Sequence, residues 1–167
     1  MDLKKGIQTA LEYFYAAGKR KTAIVLHNSL KFIQEETEAY EEFIKAYGLP
    51  SNPSLLIPYS KDITPIRSQL AALAGQFDSL IAPDGVMVQI TDIISANSLE
   101  IPTQLSLVGI NNSLLSRIHN PPLTSISFPV ERIGKNAIQQ LIRRIEGTEP
   151  QPIVCRNYPP DFIIRKT

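Results

Sequence analysis

The chain has 167 residues, 43% hydrophobic and 20% charged, a balance that supports a buried core and excludes a disordered chain. Seventeen basic against sixteen acidic residues leave a net charge of +1, so no global field draws these residues onto a phosphate backbone. No apolar run approaches a membrane span and the start Met-Asp-Leu-Lys-Lys-Gly lacks a signal core, so the cytoplasm is the expected compartment.

Helical and extended patterns alternate along the chain. Leu3, Ile7, Ala10, Leu11 and Phe14 share one helical face, with Asp2 as a cap and Gly18 as a left-handed exit. A strand over Thr22 to Leu26 follows. A second helix carries Ala39, Tyr40, Phe43, Ile44 and Tyr47, ends at Gly48 and is closed off by Pro50. Leu55 to Ile57 reads as a strand, Ile66, Leu70 and Leu73 as a third helix stopped by Gly75, and Ser79 to Ala82 as a fully buried strand. A helix from about Gly85 to Ala96, a strand over Leu105 to Gly109 and a short helical turn over Ser113 to Ile118 come next. Pro121-Pro122 breaks the chain before extended Thr124 to Phe128. Pro129 is placed as the first residue of a last helix, whose apolar face is Ile133, Ala137, Ile138, Leu141, Ile142 and Ile145 and which stops at Gly147. Ile153 to Arg156 and Phe162 to Arg165 are expected to be extended. The single cysteine, Cys155, lies in the first of these segments and reads as structural, since no second cysteine or spaced histidine accompanies it.

Strands separated by helices imply an α/β fold, a doubly wound parallel sheet with helices on both faces. In such sheets ligands sit beyond the carboxyl ends of the strands. The loops starting at His27, Tyr59, Pro83 and Asn111 therefore share one rim. Enzyme signatures are missing: there is no GxGxxG or Walker glycine loop, no GxSxG elbow and no metal-spaced histidine pair. Glu36 with Asp84 could form an acid/base pair, but each has a simpler structural explanation. No cofactor and no metal is expected.

The segments Ser79-Leu-Ile-Ala-Pro-Asp-Gly-Val-Met, Ile101-Pro-Thr-Gln-Leu-Ser-Leu-Val-Gly-Ile-Asn-Asn and Pro121-Pro-Leu-Thr-Ser-Ile-Ser, in that order, resemble the lactose-repressor (LacI-type) family of bacterial transcriptional regulators. The opening Asp2-x-x-x-Gly6, then Gly18-Lys-Arg-Lys-Thr-Ala-Ile and the final Ile163-Ile-Arg-Lys-Thr extend the resemblance over essentially the whole chain. It implies a periplasmic-binding-protein-like effector domain, mainly its carboxyl-terminal lobe over about 20–112 and 150–167, with 1–18 and 123–147 as remnants of the other lobe and its crossovers. The DNA-binding head would lie outside these residues. It further implies a small effector, sugar-like or of changed specificity, bound between lobes and coupled to operator affinity with no bond made or broken. A solute-binding protein or a stand-alone ligand-binding module of the same fold is the alternative.

Three of the family's effector positions carry different residues here. Glu36 stands where an arginine is usual, Pro83-Asp84 where Asn-Asp is usual, and Asn111-Asn112 where Asp-Asp is usual. A carboxylate only accepts hydrogen bonds, so Glu36 implies a changed effector or lost response, unless it complements a helix amino terminus. Asp84 reads first as the cap of the helix beginning at Gly85 and only second as an effector contact, and Asn111 is the best retained contact. Tyr59 and Phe128 could stack on an effector, although a ring at a sheet end is commonly core. His27 could reach the crevice or simply face water. The resemblance also implies a homodimer. Surplus apolar surface on the helix after Asp84, with Met87 and Val88 outward, assigns the interface to Val86, Met87, Ile90, Ile94, Leu114 and Leu115.

Overall fold

A computed structural model of the chain describes residues 1–96, 99–148 and 156–167. Its elements follow the order α1 (Leu3–Ala16), β1 (Thr22–Val25), α2 (Leu30–Tyr47), β2 (Leu56–Ile57), α3 (Ile63–Ala72), β3 (Ser79–Pro83), α4 (Asp84–Ala96), β4 (Ser106–Ile110), α5 (Leu114–Ile118), β5 (Thr124–Ser127), α6 (Val130–Ile145) and β6 (Asp161–Ile163). The sheet has strand order β2-β1-β3-β4-β5-β6. All neighbours are parallel except β5 and β6, which run antiparallel. The doubly wound α/β sheet expected from the alternation is thus observed, and strand order reverses between β1 and β3.

The strands show no apolar/polar alternation because helices cover both of their faces. Ile24, Leu26, Ile81, Val108, Ile110 and Ile126 meet one layer, built by α1 and α2. Their neighbours Ala23, Val25, Leu80, Ala82 and Leu107 meet the opposite layer, built by α3 and α4. In α1 the stripe Leu3, Ile7, Ala10, Leu11 and Phe14 is wholly buried, each large side chain contributing about 1.5–3 kcal/mol of burial. The flanking motif residues have local causes. Asp2 accepts from the Lys5 amide at 3.0 Å, capping the helix, and a Cβ on Gly6 would stand 2.7 Å from Ile126 Cγ2, so glycine lets α1 approach β5.

Several expectations are corrected by packing. Residues 1–18 and β5 are not set apart from the main unit: α1 packs on α2 and β5 is an internal strand. Helix α6 forms with the expected stripe, yet none of its residues is buried; Ile138, Leu141 and Ile145 are 61%, 59% and 78% exposed. Pro129 precedes the helix as its cap residue and provides no side-chain cap. Met87 points inward rather than outward: it is buried with Val86, Ile90 and Ile94 in the cluster that α4 shares with α3 and the sheet. The extended segment proposed over Ile153 to Arg156 includes Cys155, which lies outside the described residues.

Candidate functional site

Every strand from β1 to β4 delivers its carboxyl end to one rim, so the residues just beyond them are brought together by topology. Beyond β1, His27 is fixed by Glu36. One carboxylate oxygen of Glu36 accepts the His27 backbone amide at 2.9 Å and the other lies 2.6 Å from the ring Nδ1. The ring's other nitrogen, Nε2, has no hydrogen-bond partner among the described residues. The ring also meets Phe32 edge-on at 5.5 Å. Both readings of Glu36 are thereby corrected. It lies in the second turn of α2 rather than the first, and its side chain is fully buried, so it forms no wall of the crevice and complements no helix terminus. Sequence reasoning missed the pair because the two residues share no periodic face; they meet across the loop joining β1 to α2.

Asp84 is the first residue of α4, not its cap, and its carboxylate is buried. It accepts the Ser113 amide at 2.7 Å and the Ser125 hydroxyl at 3.5 Å, tying the end of β3 to the start of α5 and to β5. Burial pushes this carboxyl above its ordinary range, opposed by the Ser113 and Ser125 hydrogen bonds and by the charge of Arg165. The space for it exists because β4 has a glycine in its interior: a Cβ on Gly109 would clash outright with Asp84 Oδ1.

Asn111 and Asn112 both have positive φ, 102° and 48°, a strained turn that asparagine tolerates better than most residues. Asn112 is locked: its amide donates to Ser125 Oγ at 3.0 Å, its side-chain nitrogen to Ser127 Oγ at 3.1 Å, and its side-chain oxygen accepts from Arg165 at 2.6 Å. Asn111 is exposed, and its side chain makes no hydrogen bond among the described residues. Beside it opens a cleft of about 350 Å³ whose lining includes Asn111, Asn112, Arg117, Phe128, Glu131 and Arg132. Phe128 belongs to the core and also forms part of the cleft. Tyr59 stands exposed on the loop after β2. Of the expected site residues, Asn111 and Phe128 share this cleft, with Arg117 and Arg132 as lining residues that sequence reading did not single out, whereas His27 and the buried Asp84 do not line it. Among the described residues no group of three His, Cys, Asp or Glu is placed to hold a metal, and no helix is long and apolar enough to cross a membrane.

Residues 11–167 match the family described as the periplasmic binding protein-like domain. The chain belongs to this family. The periplasmic binding protein-like domain is 29% identical over 154 residues to an HTH-type transcriptional regulator of Lachnoclostridium phytofermentans, covering 89% of this chain and 45% of that protein. The domain thus spans about half the length of that curated relative. In solved structures, it superposes on a regulatory protein of the LacI family from Chloroflexus aggregans with TM-score 0.85 at 22% identity, over 99% of this chain and 61% of the other. It also superposes on a LacI-family transcriptional regulator from Lactobacillus casei with bound sucrose, with TM-score 0.81 at 22% identity, over 99% and 63%.

The interface residues assigned from sequence need correction within the domain. Val86, Met87, Ile90 and Ile94 are buried in the cluster shared with α3 and the sheet and offer nothing to a second chain. Leu114 and Leu115 are exposed, and Val88 and Ile118 are exposed on the same two helices, α4 and α5.

Proposed function

We propose that these residues form the effector-sensing part of a transcriptional regulator that couples a small, sugar-like ligand to operator affinity, with DNA contacted by a head outside this chain. The observation that carries the reading is the rim itself. A strained, exposed Asn111 and a His27 imidazole held by Glu36 lie at the carboxyl ends of the parallel strands β4 and β1, on either side of β3, where this fold class takes its ligands. The regulators it resembles, including one with bound sucrose, support the same assignment. On this reading the chain is a sensor, in line with the transcriptional regulators it resembles. A protein acting on operator DNA works in the cytoplasm.

Two surfaces support larger partners. Val88, Leu114, Leu115 and Ile118 give α4 and α5 an exposed apolar patch suited to an isologous homodimer. The exposed stripe of α6 supports a second lobe, to which 130–147 would belong, completing a crevice over the rim.

The test is a fluorescence anisotropy titration of the full-length polypeptide against the promoter DNA of its own gene, repeated with a panel of mono- and disaccharides. A sugar that shifts DNA affinity, with the shift abolished by Asn111→Ala, is the expected result. A sugar that binds while leaving DNA affinity unchanged, or no DNA binding at all, would instead support a solute-binding module.

A further inference from the structure

Resting on that sensing role, we infer that the ligand taken at the β4–β5 side of the rim carries an anionic group, a phosphate or a carboxylate, bound between Arg117 and Arg132. The two arginines approach the same cleft of about 350 Å³ from different elements, Arg117 from α5 and Arg132 from the first turn of α6. Among the described residues neither guanidinium forms an ion pair or a hydrogen bond; Arg132 rests 5.4 Å from the Tyr158 ring. Of the other cations, Lys4 pairs with Glu38 and Glu42, Lys31 with Glu35 and Arg67 with Asp92, while the exposed Arg143, Arg144 and Arg156 likewise form no ion pair among the described residues. In this cleft two uncommitted planar donors sit beside the unbonded side chain of Asn111.

Its chemistry is otherwise one-sided. Asn111 offers an unbonded amide, Ser127 a hydroxyl already engaged by Asn112, and Phe128 an apolar floor. Among the described residues Glu131 is the single carboxylate on the cleft, so two positive charges face one negative. Guanidinium forks bind planar or tetrahedral oxyanions through paired hydrogen bonds, which a neutral sugar cannot accept as strongly. The carboxylate that would have countered this preference, Glu36, is buried and committed to His27. The ligand class that fits is an anion attached to a body with an apolar face, as in a phosphorylated or carboxylated sugar.

The test uses inorganic phosphate as probe, titrated into the whole chain by isothermal calorimetry at fixed ionic strength, with Arg117→Gln, Arg132→Gln and the double variant. Both arginines are exposed, and far-UV circular dichroism checks that the variants keep the fold. Saturable binding is expected, weakened about threefold in each single variant and at least tenfold in the double. Glucose 6-phosphate should then bind more tightly than glucose. Absence of saturable phosphate binding, or binding unchanged in the double variant, overturns the inference. The anisotropy titration reads the sensing role separately: a neutral sugar that shifts DNA affinity leaves that role standing even if phosphate fails. Arginine-dependent phosphate binding with no ligand altering DNA affinity does the reverse.

Discussion

Helix α1 turns Leu3, Ile7, Ala10, Leu11 and Phe14 into the layer under the sheet, whereas helix α6 leaves Ile138, Leu141, Ile142 and Ile145 in solvent. Both stripes recur at helical spacing and both helices form, so propensity and periodicity do not separate them. What separates them is the surface opposite. Helix α1 faces α2 and the sheet residues Ile110 and Ile126; α6 lies against no such layer among the described residues. A periodic stripe therefore specifies that a helix has an apolar face to cover, and leaves open which part of the protein covers it.

The widest gap between the two helices should appear on truncating their stripes. Phe14→Ala is expected to destabilise the chain by about 3–5 kcal/mol in urea denaturation, because it empties a closed site. Leu141→Ala should change stability by no more than about 0.5 kcal/mol, as for exposed positions generally. Equal effects would erase the contrast. The glycines give a second, smaller opposition. Gly6→Ala forces a methyl against Ile126 and should be unfavourable by about 1–3 kcal/mol. Gly134→Ala meets open space and should stabilise α6 by about 0.5–1 kcal/mol. Opposite signs in matched melts would sharpen the comparison. The caps come next: Asp2→Ala should lose about 1 kcal/mol with its hydrogen bond to the Lys5 amide, while Pro129→Ala, at a position without a side-chain cap, should lose none of this.

The smallest effect concerns buried against exposed carboxylates. Burial raises the Asp84 carboxyl above its ordinary value, so the folded state holds that proton more tightly than the unfolded one. The stability this contributes is complete in acid and is lost as pH rises through the folded-state value. The exposed Asp92 and Glu38 are shifted downward, the first by Arg67 and the second by Gln34 and Lys4, and act in the opposite sense. Asp84→Asn keeps an acceptor for the Ser113 amide and should gain stability relative to the parent as pH rises across the carboxylate range. A parallel pair of stability–pH curves would contradict the burial argument.

Much of the fold was legible because its signals are local. Left-handed Gly18 and Gly48 end α1 and α2 where the sequence places those stops, and β1, β3 and β4 fall within a residue or so of their expected bounds. The site was less legible because it depends on contacts between distant residues. Glu36 read as an altered wall until its buried bond to His27 was seen, and Asp84 read as a cap although its carboxylate turns to Ser113 and Ser125. One clue was present: a glycine inside the strand Ser-Leu-Val-Gly-Ile marks a close approach, here by Asp84. Met87 was misplaced because α4 is apolar on more than one side, so periodicity alone could not choose the inward face.

The outer strands of the sheet bear on how this protein can associate. Among the described residues, β2 has only two residues and β6 only three. Each edge thus exposes too little unpaired backbone to template another strand, which guards against edge-to-edge aggregation.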